Sequence, residues 1–169
     1  MKSLKVLIVD DSNADALLLV RHLKTSGYDV QHKRVDTREG LAAALGAGCC
    51  DVVLCDYSMP GFDGRQAFEV VREAELDLPF IIVSGAVGEE TAVECMRLGV
   101  HDFILKDHLS RLAPAIEREI GEAKVRADLR ATEETLQRTE KLRALGQMAA
   151  GISHDLKNIL NPLSLHLQV

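Results

Sequence analysis

Short apolar runs alternate with longer stretches of mixed polarity from the start of the chain to residue 105. Strands are predicted near 5–9, 28–34, 51–55, 79–83 and 102–105, and helices near 13–26, 38–46, 64–74, 88–98 and from 109 onward. Continuous apolar runs separated by helical segments are typical of buried parallel strands. The second strand is the most polar, so we expect it at an edge of the sheet. This pattern predicts an α/β fold.

A polar side chain follows four of the predicted strands at its carboxyl end. These residues are Asp10 and Asp11 after the first strand, Asp56 after the third, Ser84 after the fourth and Lys106 after the fifth. In open α/β sheets the ligand crevice lies beyond the carboxyl ends of the strands. We therefore expect three carboxylates, a hydroxyl and an amine to converge at one end of the sheet.

This set of side chains suits a magnesium ion and a phosphoryl group. Neighbouring carboxylates repel each other and favour either a proton or a bound cation, and Mg²⁺ prefers hard oxygen ligands. A carboxylate can also act as a nucleophile and form an aspartyl-phosphate, with a lysine binding the phosphoryl oxygens. Asp56 is the best nucleophile candidate because a loop rich in Pro and Gly follows it at 57–64. Asp10 and Asp11 would then hold the metal.

Four stretches of residues 1–121 resemble the receiver domain of two-component response regulators. They read VLIVDDS, VVLCDYSMPGFDG, IIVSG and DFILKD, in that order along the chain. The resemblance implies a doubly wound, five-stranded parallel sheet in the order 2-1-3-4-5, as in flavodoxin-like folds. It also implies phosphorelay signalling with phosphodonor or phosphoacceptor proteins as partners.

The resemblance assigns a role to each matching residue. Asp10 and Asp11 correspond to the metal-binding pair, Asp56 to the phosphoacceptor, Ser84 to the switch hydroxyl, Lys106 to the invariant lysine and Phe103 to the aromatic switch residue, while the carbonyl of Ser58 would complete the metal shell. Asp107 departs from the family, which usually has proline after the lysine. We therefore expect a trans peptide there, because cis bonds before other residues cost several kcal/mol.

Taken one at a time, these residues also have ordinary interpretations. Ser12 and Asp15 have the spacing of a helix capping box, for example, and short motifs are weak evidence when they stand alone. An alternative function is a non-catalytic dimerisation module whose receiver site is never phosphorylated. A flavodoxin-like cofactor binder is a further alternative, but two aspartates that would repel an anion follow the first strand.

The character of the chain changes after residue 121. Residues 122–143 contain eleven charged residues and neither proline nor glycine. Apolar or neutral residues recur in a 4-3 pattern at Val125, Leu129, Thr132, Leu136 and Thr139. This spacing predicts a signalling coiled-coil helix that pairs with a second copy as a parallel homodimer. A single solvated helix is the alternative. The pattern shifts phase at Leu142 and continues to Leu163, which is a plausible place for the helix to change its twist.

Residues 144–169 resemble the first, phosphoacceptor helix of a histidine-kinase dimerisation domain. The stretch 145–158, LGQMAAGISHDLKN, is similar to the class with an HDxxN core. By this resemblance His154 is phosphorylated, Asp155 accepts or orients the proton of its imidazole, and Asn158 acts in dephosphorylation. We expect a truncated piece of a hybrid sensor kinase. No glycine-rich nucleotide motif is present, so we expect no kinase activity from this chain alone.

Composition narrows the function classes further. With 169 residues, of which 47% are hydrophobic, the chain can bury a full α/β core. Its net charge of −6 argues against a general nucleic-acid surface. The four cysteines show no CxxC spacing and are expected to be reduced thiols in a cytoplasmic protein. No apolar run reaches the ~18 residues of a membrane span.

Overall fold

The computed structural model describes residues 1–48, 50–85 and 89–165, and describes the side chains of all of these except 89 and 149–165. The strands are β1 (Lys2–Val9), β2 (Tyr28–Val35), β3 (Val52–Cys55), β4 (Phe80–Ser84) and β5 (Asp102–Leu105). The helices are α1 (Asn13–Thr25), α2 (Arg38–Gly46), α3 (Gly64–Glu73), α4 (Glu89–Leu98) and α5 (Leu112–Leu165), the last preceded by a 3₁₀ turn at Leu109–Arg111.

The five strands form one parallel sheet in the order β2-β1-β3-β4-β5, which confirms the predicted topology and the edge position of β2. Because the strand order reverses between β1 and β3, the crevice beyond their carboxyl ends is the expected ligand site. The register pairs Val9 with Cys55, so that Asp10 and Asp56 follow neighbouring residues. Ser84 likewise pairs with Leu105, the residue before Lys106.

The sheet is buried on both faces, as its continuous apolar strands predict. One core cluster packs the sheet against α1 and α5 and includes Leu23 and Ile116. The other packs it against α2, α3 and α4 and includes Leu41, Phe68 and Cys95. Burial of this kind stabilises the fold by about 25 cal/mol for each Å² of apolar surface. The two cores hold the strands, and therefore the strand ends, in fixed relative positions.

Side-chain caps start the helices where the sequence predicts them. The Thr37 side chain accepts a hydrogen bond from the backbone N–H of Gly40 at the start of α2. Asp63 forms both halves of a capping box with Gln66 at the start of α3. Gly27, which follows α1, has a φ of 96°, a conformation that few residues other than glycine adopt easily.

The chain divides into two compact units after Val125. The second unit starts at Arg126, and the large apolar side chains that are described within it are exposed, as shown by Leu129 at 59% and Leu136 at 59%. Leu142, Leu145 and Met148 are also exposed. In the described part of the chain, no helix has the length and hydropathy that crossing a bilayer requires.

Three further predictions concern individual residues. Cys55 and Cys95 are free thiols, as predicted, Cys50 is partly buried, and Cys49 lies outside the described residues. No cis peptide bond occurs among the described residues, in line with the expectation for the bond before Asp107. The predicted site residues His154, Asp155 and Asn158 lie outside the part of the chain whose side chains are described.

Candidate functional site

Three of the predicted carboxylates meet at the carboxyl end of the sheet. Asp10, Asp11 and Asp56 each offer an oxygen, and these oxygens lie within 4.8 Å of one another. The Asp10 side chain is 1% exposed and that of Asp56 is 11% exposed, whereas Asp11 lies at the surface. The site therefore has a buried side, formed by the strand ends, and an open side at Asp11.

Backbone hydrogen bonds hold the end of β1 between its two neighbours. The N–H of Asp10 donates to the carbonyl of Val35 at 3.0 Å, and the N–H of Asp56 donates to the carbonyl of Val9 at 2.8 Å. Beyond the strand, the N–H of Ser12 donates to Oδ1 of Asp10 at 2.7 Å. These bonds fix the backbone from which the Asp10 and Asp56 carboxylates extend, and they keep the two carboxylates at the same end of the sheet.

Arg34 also supports this loop, a contact that the sequence pattern did not predict. Its Nη1 donates to the backbone carbonyl of Asp10 at 2.7 Å and to the carboxylate of Asp36 at 3.2 Å. A third, longer contact of 3.4 Å reaches the carbonyl of Asp11. A charged residue on a polar edge strand resembles any solvated side chain in sequence, so no local signal identifies this contact.

The ammonium of Lys106 lies among the carboxylates. Its Nζ is 3.4 Å from Oδ2 of Asp56 and 3.5 Å from Oδ2 of Asp10. The shortest contact, 2.5 Å, is to Oδ2 of Asp15 in the first turn of α1. The structure thus brings together the predicted lysine and carboxylates, and it adds Asp15, which the sequence suggested only as part of a helix cap.

Burial and charge shift the protonation of the groups in this site. Burial raises the pKa of Asp10, and the N–H of Ser12 and the charge of Lys106 offset part of that effect. Burial alone would lower the pKa of Lys106, but the hydrogen bond to Asp15 and the charges of Asp10 and Asp56 outweigh it and raise the pKa. Lys106 is therefore a cation at neutral pH.

The loop after Asp56 is anchored to the domain at several points. Met59 and Phe62 are buried in the core on the α3 side of the sheet. The N–H of Gly64 donates to the carbonyl of Tyr57 at 3.0 Å and closes the loop. A Cβ on Gly64 would lie 3.1 Å from the Cα of Tyr57, so a side chain at this position would press on the residue next to Asp56. Glycine thus permits the close approach of α3 to the candidate nucleophile.

The remaining predicted residues surround this centre. Ser84 is buried at the end of β4, and its carbonyl accepts a hydrogen bond of 2.8 Å from the N–H of Lys106. Phe103 is partly buried and packs against the core on the α2–α4 side of the sheet. Ser58 is exposed in the loop after Asp56. The switch roles of Ser84 and Phe103 and the metal contact of Ser58 stay predictions.

The residues present fit a magnesium ion. Oxygens that share an octahedral Mg²⁺ at about 2.1 Å lie roughly 2.9 to 4.2 Å apart. The oxygens of Asp10, Asp11 and Asp56 fall within 4.8 Å of one another, so only small side-chain movements separate them from that arrangement. The ligands are hard oxygens, and the exposed side at Asp11 leaves room for water and phosphate.

The chain matches the family described as response regulator receiver domain over residues 6–117. It is 32% identical over 104 residues to the chemotaxis protein CheY of Treponema pallidum, covering 60% of this chain and 72% of CheY. It is 33% identical over 125 residues to the sensor protein GacS of Pseudomonas syringae pv. syringae, covering 70% of this chain. The match covers 13% of GacS.

Solved structures share the same fold. The crystal structure of FixJ-N superposes with a TM-score of 0.62 at 28% identity, covering 72% of this chain and 96% of that one. The chain spans less than two thirds of several curated relatives, for example 22% of the response regulator protein FleR of Pseudomonas aeruginosa. The match therefore does not assign the activities of those longer proteins to this chain.

Proposed function

The chain belongs to the response regulator receiver domain family, and we propose that Asp56 is its phosphoacceptor. As a receiver domain it takes part in phosphorelay signalling. The observation that carries the assignment of Asp56 is the Lys106 ammonium 3.4 Å from its carboxylate, with two further carboxylates close by. A lysine and an acidic metal shell around one aspartate suit phosphoryl transfer better than any structural task.

In the proposed reaction an oxygen of Asp56 attacks the phosphorus of the donor. The new bond joins that oxygen to phosphorus, and the bond from phosphorus to the leaving group breaks with its electron pair on the leaving group. Lys106 donates hydrogen bonds to the phosphoryl oxygens, and the Ser84 hydroxyl binds the same group after transfer. Asp10, Asp11, Asp56 and the carbonyl of Ser58 would hold Mg²⁺, which neutralises charge on the transferred group.

The second part of the proposal concerns α5. We infer that its exposed apolar row pairs two copies of the chain as a parallel coiled coil. The 4-3 pattern of α5 would form the seam between the two helices, and Thr132 and Thr139 belong to it. Their hydroxyls donate to the carbonyls of Asp128 and Thr135 at 2.8 Å. Because these hydroxyls are satisfied within the helix, their methyl groups are free to pack against a partner helix. Burial of these two threonines in a seam would therefore leave no hydroxyl donor without an acceptor.

The third part rests on sequence. We propose that His154 is a second phosphoacceptor, that Asp155 manages its proton, and that Asn158 acts in removal of the phosphoryl group. The HDxxN stretch of the sequence supports these roles. Through the dimeric helix, phosphorylation of Asp56 would then control the surroundings of His154.

Asp56→Asn should abolish labelling of the receiver by acetyl phosphate in the presence of Mg²⁺. The amide is not a nucleophile and removes one charge from the metal shell. Phosphoprotein formation is measured by mass spectrometry of the intact chain. Asp29→Asn makes the same chemical change near the opposite end of the sheet and should label like wild type. Equal labelling of both variants would place the acceptor elsewhere, and an unlabelled wild-type chain would favour the non-catalytic module.

The chain should be a dimer in solution, and Leu136→Arg should convert it to a monomer. A charge at a seam position must be desolvated when the helices pair, which opposes association. Gln137→Arg introduces the same side chain one residue away, off the seam, and should remain dimeric. Light scattering at high micromolar concentration distinguishes the states. A monomeric wild-type chain contradicts the coiled-coil proposal.

When a histidine-kinase ATP-binding domain is supplied in trans with ATP, His154 should become phosphorylated. His154→Gln should remove this acid-labile label, whereas His22→Gln should retain it, since His22 belongs to α1. Asp155→Ala should slow labelling because no carboxylate at this position then accepts or orients the imidazole proton. Asn158→Ala should label normally and hold the phosphoryl group longer. Complete loss of label in Asn158→Ala would show that the roles along this helix are wrongly divided.

A further inference from the structure

The shortest contact of the Lys106 ammonium is with a residue that the phosphoacceptor chemistry does not require. Nζ of Lys106 lies 2.5 Å from Oδ2 of Asp15, compared with 3.4 Å for Asp56 and 3.5 Å for Asp10. The Lys106 side chain is 15% exposed and that of Asp15 is 40% exposed, so the pair lies at the boundary between the site and solvent. The lysine is therefore tied to α1 rather than to the nucleophile.

Helix capping does not account for the Asp15 carboxylate. The Ser12 hydroxyl accepts a hydrogen bond from the backbone N–H of Asp15, which is one half of a capping box. In the other half the Asp15 side chain would accept from the N–H of Ser12, but that N–H donates to Asp10. The Asp15 carboxylate is thereby available to Lys106, and the first turn of α1 fixes the position of its backbone.

Without the contact to Asp15, the Lys106 ammonium could move towards Asp10 and Asp56. Its side chain is long and flexible, and its ammonium carries three donors. Asp10 and Asp56 both attract it from distances slightly longer than a normal charged hydrogen bond. If it moved closer, it would occupy the carboxylate oxygens that must bind Mg²⁺ and attack phosphorus.

We propose that Asp15 is a positioning residue, which holds the Lys106 ammonium beside Asp56 while keeping it from closing onto the nucleophile and the metal ligands. One donor of the ammonium is used by Asp15, and its contacts with Asp10 and Asp56 are longer, at 3.5 and 3.4 Å, so that phosphoryl oxygens can compete for the remaining donors. This inference rests on the proposed role of Asp56. It adds that the charge of Asp15 acts on phosphoryl transfer only through Lys106.

A double-mutant cycle tests this dependence directly. The four proteins are wild type, Asp15→Asn, Lys106→Ala and the double variant. Two quantities are measured: the rate constant of labelling by acetyl phosphate, and the dissociation constant for Mg²⁺ by calorimetry without a phosphodonor. The calorimetric measurement remains informative even where Lys106→Ala labels too slowly to quantify. Urea unfolding of each protein verifies that the fold is retained.

In the wild-type background, Asp15→Asn should slow labelling about tenfold. This factor is at the lower end of the effects expected for loss of a hydrogen bond between charged groups, because the pair is partly exposed. It should also weaken Mg²⁺ binding, since the released ammonium competes for the same oxygens. In the Lys106→Ala background, the same substitution should change the rate less than about twofold, and its effect on Mg²⁺ binding should shrink to that of a more distant charge.

Asp107→Asn is the matched control. It removes one negative charge from the residue next to Lys106, but the Asp107 carboxylate is exposed and faces His108. It should label at the wild-type rate. The inference is overturned if Asp15→Asn labels like wild type, or if it slows the Lys106→Ala protein by the same factor as the wild type. If the wild-type chain itself takes no label, the proposed function fails instead.

Discussion

Repulsion among carboxylates at one end of the sheet is the constraint around which this domain is organised. Asp10, Asp11 and Asp56 place oxygens within 4.8 Å of one another. Asp15 adds a fourth carboxylate, which contacts the Lys106 ammonium. One lysine cannot neutralise four carboxylates, so the group keeps a net negative charge that disfavours the folded state. The same charge makes the site attractive to Mg²⁺. The cost to stability and the proposed function therefore have one physical origin.

The rest of the domain opposes this repulsion. Two apolar cores, one on each face of the sheet, fix the strands whose ends carry the acids. Arg34 donates to the carbonyl of Asp10, which holds the loop after β1 in place. Gly64 lets α3 approach the backbone beside Asp56. Preorganisation of this kind is expected where charge must be stabilised at a defined position, because no reorganisation is needed during transfer.

Most of the fold and the centre of the site could be predicted from sequence, because both follow from short-range patterns. Apolar runs identify the strands, and residues after parallel strands converge by geometry, which placed Asp10, Asp56 and Lys106 correctly. Arg34 and Asp15 were not identified as site residues. Each has an adequate local interpretation, as an edge-strand charge and a helix-cap residue. Their actual contacts depend on side-chain directions between elements 24 and 91 residues apart in sequence.

The central claim, that unrelieved carboxylate charge defines this site, is tested most directly by urea unfolding of wild type and Asp56→Asn, each with and without Mg²⁺. We expect Mg²⁺ to stabilise the wild type by about 1.4 to 2.7 kcal/mol at ten to a hundred times its dissociation constant. Without Mg²⁺, Asp56→Asn should be at least as stable as wild type, since one repelling charge is gone, and Mg²⁺ should stabilise it less. Equal stabilisation of both proteins by Mg²⁺, or a less stable Asp56→Asn in its absence, would contradict the claim.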